Sequence, residues 1–517
     1  MVRAGRVALI VASCVAVGCS FLNDFPEVIE QTGGAGGGGG NGAANVGGSC
    51  SGPLVPEPEL LWHATPDGTG EALDYTIITG LTRSGSLSAW GVNAGGLSDA
   101  PALAAFPGTA NRAFLVDLAG AQPATLRGTL IACDAINGPG FGTGRMALVG
   151  GDPLLTGFLT SGNPDALYAF AVDASDPCAG TFADPPLLGS GAPTIGFNAR
   201  LFPTVLSNEQ FSEAKGQSLD IASNGALDAS LGLGFGDLNG ITAASPSYYL
   251  ARSTRLPSEV LVLSHTIDEA RFDGSENSYG GVAVDVDSAI WATGKDCGDS
   301  ASACAGTGRL FVDRWGQSAT TANPLSIAGS GESFGSVVRA SGSVVVVGGG
   351  YQGELTVGEQ PLPASSDGVD ALVFALDPAE GSVRWTYPGS SSPGYDRAGF
   401  DAVVDLAVVP GPACAGFVYV AGCRVDAGAT ASECLTRESN KSAFVAKLRL
   451  DTGEEIWSQS YSASDTGNTS RLLPTAVAAD EAGFWVAFSY QGQVDFLPDT
   501  LTSNGASADG LVLRFAP

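Results

Sequence analysis

Basic side chains are scarce in this chain, and so are histidine and methionine. Lys and Arg number 24 against 53 Asp and Glu, for a formal net charge of −29, with 2 His and 2 Met. A surface this acidic repels phosphate backbones and anionic lipid heads, which makes nucleic acid a poor partner. Two His and no Cys-x-x-Cys spacing leave little from which to build a zinc site. Only 15% of residues are charged. No apolar run reaches the roughly 20 residues that cross a bilayer. Beyond the N-terminus, no long stretch carries a helical period.

What is abundant is turn chemistry. The 517 residues include 73 Gly and 29 Pro, a composition that suits an all-β chain of many short strands. The length is ample for a large core. The acidity reads as solubility outside the cytoplasm.

The chain opens with Arg3 and Arg6, an apolar run Val7–Val17, then Gly18-Cys19-Ser20. That is the layout of a secretory signal, with a basic start, a short apolar stretch and a small residue before the cut. Ala16-Val17-Gly18-Cys19 resembles a bacterial lipobox, with Ala16 where Leu is commoner. The resemblance implies that Cys19 becomes the lipidated first residue; Val11-Ala12-Ser13-Cys14 fits the pattern with a shorter apolar stretch. Under the enterobacterial sorting rule, Ser20 points to the outer membrane. Residues 1–19 are therefore expected to be a lipoprotein signal peptide. Residues 20–57, which contain TGGAGGGGGNGAANVGGS at Thr32–Ser49, form a flexible tether. From Cys19 to Cys50 it spans on the order of 30 Å. The folded domain is expected at 58–517.

Within it, two units recur. One is a hairpin ending on Trp: Asp370–Trp385 and Ser442–Trp457. Its first half alone closes the chain, Asp509–Pro517, and its second half alone opens the domain at ELLWHATPDGTG, with Trp62 in the tryptophan place. Together the two halves make one hairpin, as in a closed ring whose last strand joins the first blade. The other unit is small-Val-Ala-x-Asp, a turn, then aromatic-Val-Ala/Thr-Gly. Its clearest copies are Gly281–Gly294 and Thr475–Phe488, with weaker ones at Gly335–Gly349, Asp401–Gly422 and Ser218–Gly234. Alternating apolar positions around a Gly or Asp turn make each a hairpin. Starts of the first unit fall near Ala113, Ala166, Tyr248, Arg309, Ala371, Ala443 and Gly510. Two units per repeat and seven starts predict an all-β propeller of seven four-stranded blades, with the count open by one between Asp165 and Pro246.

AFVAKLRLDTGEEIW followed by TAVAADEAGFWVAF resembles the bacterial SBBP-type β-propeller repeats, over about Tyr248–Pro517. That family is mostly secreted or surface-attached and has no general catalytic set. Ala375-x-Asp377-x-x-x-Gly381-x-x-x-Trp385 also resembles the tryptophan-docking repeat of quinoprotein dehydrogenases and of an outer-membrane assembly lipoprotein. The resemblance implies that Trp62, Trp385 and Trp457 lock adjacent blades; it does not imply the quinone.

Beyond Cys14 and Cys19, eight Cys remain, an even count that reads as disulfides in an exported chain. Cys297 and Cys304 share one loop, and Cys423 and Cys434 share the corresponding loop of a later repeat, so each loop is expected to be stapled. Cys133–Cys178 and Cys50–Cys414 are the remaining pairs.

Reactive candidates are few. Gly331-Glu332-Ser333-Phe334-Gly335 matches G-x-S-x-G, but that elbow needs a strand–turn–helix and a His. Here it lies in a β repeat, in the place of Asn277–Gly281. His63 and His265 read as strand histidines. Gly236-Asp237-Leu238-Asn239-Gly240 resembles a truncated calcium loop with too few oxygens, and turn formation explains it. Ca²⁺ is the one ion left open; no cofactor and no metal site are expected. Trp90, Trp291, Trp315 and Trp485 also fall on expected strands, where inter-blade packing accounts for them. The expected function is a lipid-anchored, non-enzymatic envelope module binding protein or glycan, on the periplasmic or outer side of the outer membrane. The alternatives are an enzyme (a quinoprotein-like oxidoreductase or a hydrolase) and an outer-membrane assembly scaffold.

Overall fold

In the computed structural model of the chain, the residues described are the strands named below and parts of their connections, between residues 56 and 516. Side chains are described within 56–118 and 281–516. Every described element is a strand or a turn, and every pairing is antiparallel.

The strands group in chain order. β1 (Glu59–Ala64) stands apart. The first sheet is β2 (Tyr75–Ser84), β3 (Ser86–Ala94) and β4 (Arg112–Leu118). The second is β5 (Phe141–Val149), β6 (Asp152–Leu159), β7 (Ala166–Val172) and β8 (Ala199–Leu201). The third is β9 (Asp220–Ser223), β10 (Asp228–Leu233), β11 (Tyr249–Arg255) and β12 (Leu261–Ile267). The fourth is β13 (Ser278–Val284), β14 (Ile290–Asp296) and β15 (Arg309–Trp315), followed by β16 (Ile327–Gly329). The fifth takes β17 (Ser333–Ser341), β18 (Val344–Gly353), β21 (Ser365–Leu376) and β22 (Val383–Pro388); between them β19 (Leu355–Val357) and β20 (Gln360–Pro361) form a hairpin that pairs with β16. The sixth is β23 (Gly399–Val409), β24 (Phe417–Asp426), β25 (Ser442–Arg449) and β26 (Glu455–Ser464). The seventh is β27 (Arg471–Asp480), β28 (Gly483–Gln491) and β31 (Asp509–Phe515), with β29 (Gln493–Phe496) and β30 (Asp499–Thr502) crossing onto the edge of β26.

The seventh sheet takes its fourth strand from the other end of the chain: β1 pairs with β31, and Trp62 stands opposite Val512. Trp385 stands opposite Ala375 and Trp457 opposite Lys447, each beside a bulge as Trp62 is, but, counted from the level of Leu372, Phe444 and Leu511, Trp62 pairs two residues earlier along its third strand. All seven starts of the tryptophan unit read from the sequence fall in, or one residue before, the third strand of a sheet.

The first strands pack side by side in the order β2, β5, β9, β13, β17, β23, β27, and β27 lies against β2. Each described core cluster joins two neighbouring sheets: fourth with fifth, fifth with sixth, sixth with seventh, seventh with first. A strand buried on both faces loses the clean apolar/polar alternation. β28 is buried along its whole length, and so is most of β18.

Six first strands carry a register shift at the same level: after Ile78, Thr143, Tyr279, Gly335, Val403 and Pro474. A bulge adds local twist, and here it also brings backbones together. A Cβ on Gly349 would strike the Phe334 carbonyl, and one on Gly422 would strike that of Ala402. The Gly that ends the second sequence unit is thus required by close approach. The bulged residue is itself put to use. Ser336 Oγ and Thr475 Oγ1 donate to the carbonyls of Gly348 (3.2 Å) and Ala487 (3.3 Å) on the neighbouring strand.

Candidate functional site

Strand direction gives the molecule two unlike ends. Joints from first to second strand are short, as at Ser341–Val344 and Asp480–Gly483. Third-to-fourth joints are short at Leu376–Val383 and Arg449–Glu455, although residues 173–198 separate β7 from β8. At the opposite end, second and third strands are separated by residues 95–111, 234–248, 297–308, 427–441 and 492–508. We call these the short-turn and long-loop ends. Binding residues gather on loops held by a rigid scaffold, so the long-loop end is the candidate functional face.

Several described polar residues at that face are engaged with one another. His63 Nε2 lies 3.2 Å from Asp509 Oδ2 and 2.5 Å from the Tyr490 hydroxyl, and both partners are fully buried. The cluster fastens β1 to β28 and β31. Beside it, Thr76 Oγ1 donates to Asn93 Oδ1 (2.8 Å) and the Thr76 amide to the Ala508 carbonyl (2.8 Å), joining the first sheet to the seventh. On the fourth and fifth sheets, Lys295 pairs with Glu332 at 2.5 Å, both largely buried.

Ser333 settles the G-x-S-x-G match. Its Oγ accepts the Leu310 amide at 2.9 Å, its amide donates to the Gly308 carbonyl at 2.8 Å, and the residue opens a strand that leads to no helix. One correspondence changes. The bulges align Gly335 with Tyr279, so Ser333 matches Asn277 and not Tyr279. His265 pairs in register with Arg252, and its side chain lies outside the description. The Gly236–Gly240 stretch is also outside it. Asp285 is a turn former: its Oδ1 accepts the amides of Asp287 and Ala289, both at 2.9 Å, and its Oδ2 the Trp291 indole at 2.9 Å. Among the described residues there is no group of three or more His, Cys, Asp or Glu placed to hold a metal.

Sheets are also locked toward the short-turn end. Trp385 Nε1 donates to the Leu450 carbonyl of the next sheet at 2.8 Å, and its ring covers Gly453 so closely that a Cβ there would enter the ring. Trp457 reaches the seventh sheet by another route, with its ring centroid 5.7 Å from Phe484 and 6.2 Å from Phe515. Trp62 meets Phe114 of the first sheet edge-on at 5.7 Å. Arg339 and Asp405 pair at 2.8 Å between the fifth and sixth sheets, and the same carboxylate accepts the Val477 amide of the seventh at 2.8 Å. Arg384 holds the Asp377 carboxyl below its ordinary range, and Arg449 does the same for Asp451. Lys447 Nζ lies over Phe417, 3.9 Å from the ring centre, and its burial lowers the ammonium pKa.

Cys423 is fully buried on β24 and disulfide-bonded. Cys434, Cys133, Cys178, Cys297, Cys304 and the other cysteines lie outside the described residues, as do Cys19, the signal peptide and the Gly-rich tether.

Sequence reasoning missed the two rim hairpins. Tyr351-Gln352-Gly353 opens β19–β20 and Tyr490-Gln491-Gly492 opens β29–β30. Both glycines have positive φ, 72° and 88°, and the chain turns back there to pair with β16 in one case and with β26, the edge of the sixth sheet, in the other. The repeated Tyr-Gln-Gly was the available signal.

No protein-family model matches the chain, so the SBBP resemblance rests on the residues quoted for it. No curated protein matches either. Among solved structures, similarity extends to a Dos1 propeller (10% identity, TM-score 0.36, 88% of this chain and 81% of that one). It extends also to Kuenenia stuttgartiensis hydrazine synthase (12%, 0.37, 81% and 95%) and to a quinohemoprotein alcohol dehydrogenase from Pseudomonas putida HK5 (10%, 0.34, 89% and 76%). The chain spans only 39% of the prolyl endopeptidase structure it also resembles. Likenesses this remote locate no residue and no reaction in the chain.

Proposed function

We propose that the chain is a seven-bladed propeller, closed by β1 joining β31 and anchored by lipid on Cys19, that binds a protein or glycan without catalysis. The observation that carries the reading is where the long connections fall. Five of the seven second-to-third-strand connections, at residues 95–111, 234–248, 297–308, 427–441 and 492–508, are long and lie at one end, while Trp385 and the Arg339–Asp405 pair join sheets toward the other. The cyclic packing of the seven first strands supports the blade count and the closure. The outer membrane is the expected address, and the Cys297–Cys304 and Cys423–Cys434 staples belong to the same proposal.

Protease shaving of intact cells tests the placement. Release of peptides from 58–517 puts the domain on the outer surface; release only after the outer membrane is permeabilised puts it in the periplasm. A glycan array and a quinone assay on the purified domain test the activity. Saturable glycan or protein binding that is lost when residues 427–441 are replaced by a short turn supports the reading. Alcohol oxidation after reconstitution with quinone and Ca²⁺ would overturn it.

A further inference from the structure

The His63–Tyr490–Asp509 cluster brings three polar atoms to one point, and antiparallel pairing builds it from three strands. Tyr490 on β28 stands opposite Asp509 on β31. His63 on β1 stands opposite Leu511, two residues from Asp509 and so on the same face of the sheet. β1 enters the fold at the short-turn end, where Arg514 Nη1 lies 3.3 Å from Glu59 Oε2 and Arg514 Nη2 donates at 3.4 Å to the Ala482 carbonyl of the β27–β28 turn. His63 stands toward the other end of that strand, its side chain 21% exposed, while the Asp509 side chain is wholly buried. His63 Nε2 is 3.2 Å from Asp509 Oδ2 and 2.5 Å from Tyr490 Oη, and Tyr490 Oη is 3.4 Å from Asp509 Oδ2. A carboxylate only accepts, and the phenol and the imidazole nitrogen bring at most one proton each. Two protons cannot serve three contacts.

We propose that these three atoms bind one ferric ion, which clips the first strand of the fold to the last. Atoms at these separations lie on a circle of radius about 1.8 Å, so an ion about 2 Å from each, an ordinary length for metal–nitrogen and metal–oxygen bonds, sits just outside their plane. The donor set selects the ion. A phenol ionises at about pH 10 in water, so only a strongly polarising cation displaces its proton at neutral pH. Ca²⁺ takes roughly six to eight oxygens, and Mg²⁺ is held through carboxylates and its own waters; an imidazole beside a phenol suits neither. Phenolate, carboxylate and neutral imidazole supply two negative charges to a trivalent ion, and the Tyr490 proton leaves to solvent. Water completes the shell. A buried carboxylate is paired or bound to a metal, and Asp509 meets that requirement with either; the phenol in the same cluster is the group that favours the metal. The proposal does not depend on lipid at Cys19 or on what the long loops bind.

The test titrates the full chain, purified free of metal, with ferric nitrilotriacetate. The expected result is a visible phenolate-to-iron charge-transfer band that saturates at one equivalent, with a melting temperature that rises as the band forms. Tyr490→Phe keeps the ring and should abolish both. His63→Gln should weaken binding by about tenfold or more. Tyr461→Phe, which alters another buried tyrosine of the same core cluster, should leave the band as it is. Where Tyr490→Phe fails to fold, the loss of affinity in His63→Gln decides. No band, a band that survives in folded Tyr490→Phe, unchanged affinity in His63→Gln, or a band that cupric but not ferric ion produces would overturn the proposal.

Discussion

Trp385 and Trp457 occupy the same place in the same sequence unit, yet they join their sheets to the next by different means. Trp385 uses one directed hydrogen bond, to the Leu450 carbonyl, and lies flat on Gly453. Trp457 faces Phe484 and Phe515, and those two rings stack on each other at 4.5 Å. The first interface is a fitted dock and the second an aromatic slab. The difference teaches that the motif specifies where a ring goes and the neighbouring sheet decides how it is held. Both lie toward the short-turn end, whereas the joins at the other end are polar, as in the Thr76 amide to the Ala508 carbonyl and the Lys295–Glu332 pair.

The largest effect is expected from removing the dock. Trp385→Ala should lower stability by about 3–5 kcal/mol in chemical denaturation, by lost packing and a cavity. Trp385→Phe should cost more than Trp62→Phe, because the Trp62 indole nitrogen has no hydrogen-bond partner among the described residues and less is lost. Equal costs would show that the Leu450 hydrogen bond contributes nothing.

Next comes the charge that joins three sheets. Asp405→Ala leaves Arg339 and the Val477 amide without this acceptor and should cost about 3 kcal/mol, in the range for breaking a buried pair. A smaller contrast separates two turn glycines of similar backbone, Gly453 with φ 71° and Gly381 with φ 69°. Gly381 has open space around it, so Gly381→Ala should cost about 1 kcal/mol for the left-handed conformation alone. Gly453→Ala meets Trp385 as well and should cost clearly more. Equal melting shifts would mean that the ring moves aside freely.

The effect that is smallest at neutral pH concerns ionisation. Burial, with the Asp480 carboxylate adding to it, pushes the Tyr419 hydroxyl up to about 12. In the unfolded chain a tyrosine ionises near 10. The folded value is the higher one, so this contribution is complete below pH 10 and is lost as pH rises from about 10 to 12. Tyr419→Phe should flatten that part of the stability curve and leave neutral pH little changed. Burial also raises Tyr461, whose hydroxyl has no hydrogen-bond partner among the described residues. Tyr461→Phe should be neutral or stabilising by up to about 1 kcal/mol.

The candidate face was less legible than the locks. Trp62, Trp385 and Trp457 could be picked out because a large ring repeating at one position of a hairpin is a local pattern. The His63–Tyr490–Asp509 cluster could not, since His63 and Asp509 are 446 residues apart in sequence and nothing in either neighbourhood names the other. Ser333 shows the reverse. Its motif was visible, and only the Leu310 amide on its Oγ gives it a structural task.

By itself, the sequence determined the two hairpin units, the third strand of each of the seven sheets and the pairing of β1 with β31. These follow from apolar alternation, turn residues and a half-unit left over at each end, all of which are short-range or counting arguments. Only the tertiary structure decided that bulges recur at one level, that Gly349 and Gly422 face carbonyls, that two loops fold back along the rim, and that the chain enters at the short-turn end. Each of these depends on how closely two backbones approach or in which direction a strand runs. A periodicity of two along one strand holds no information about the distance to the next sheet.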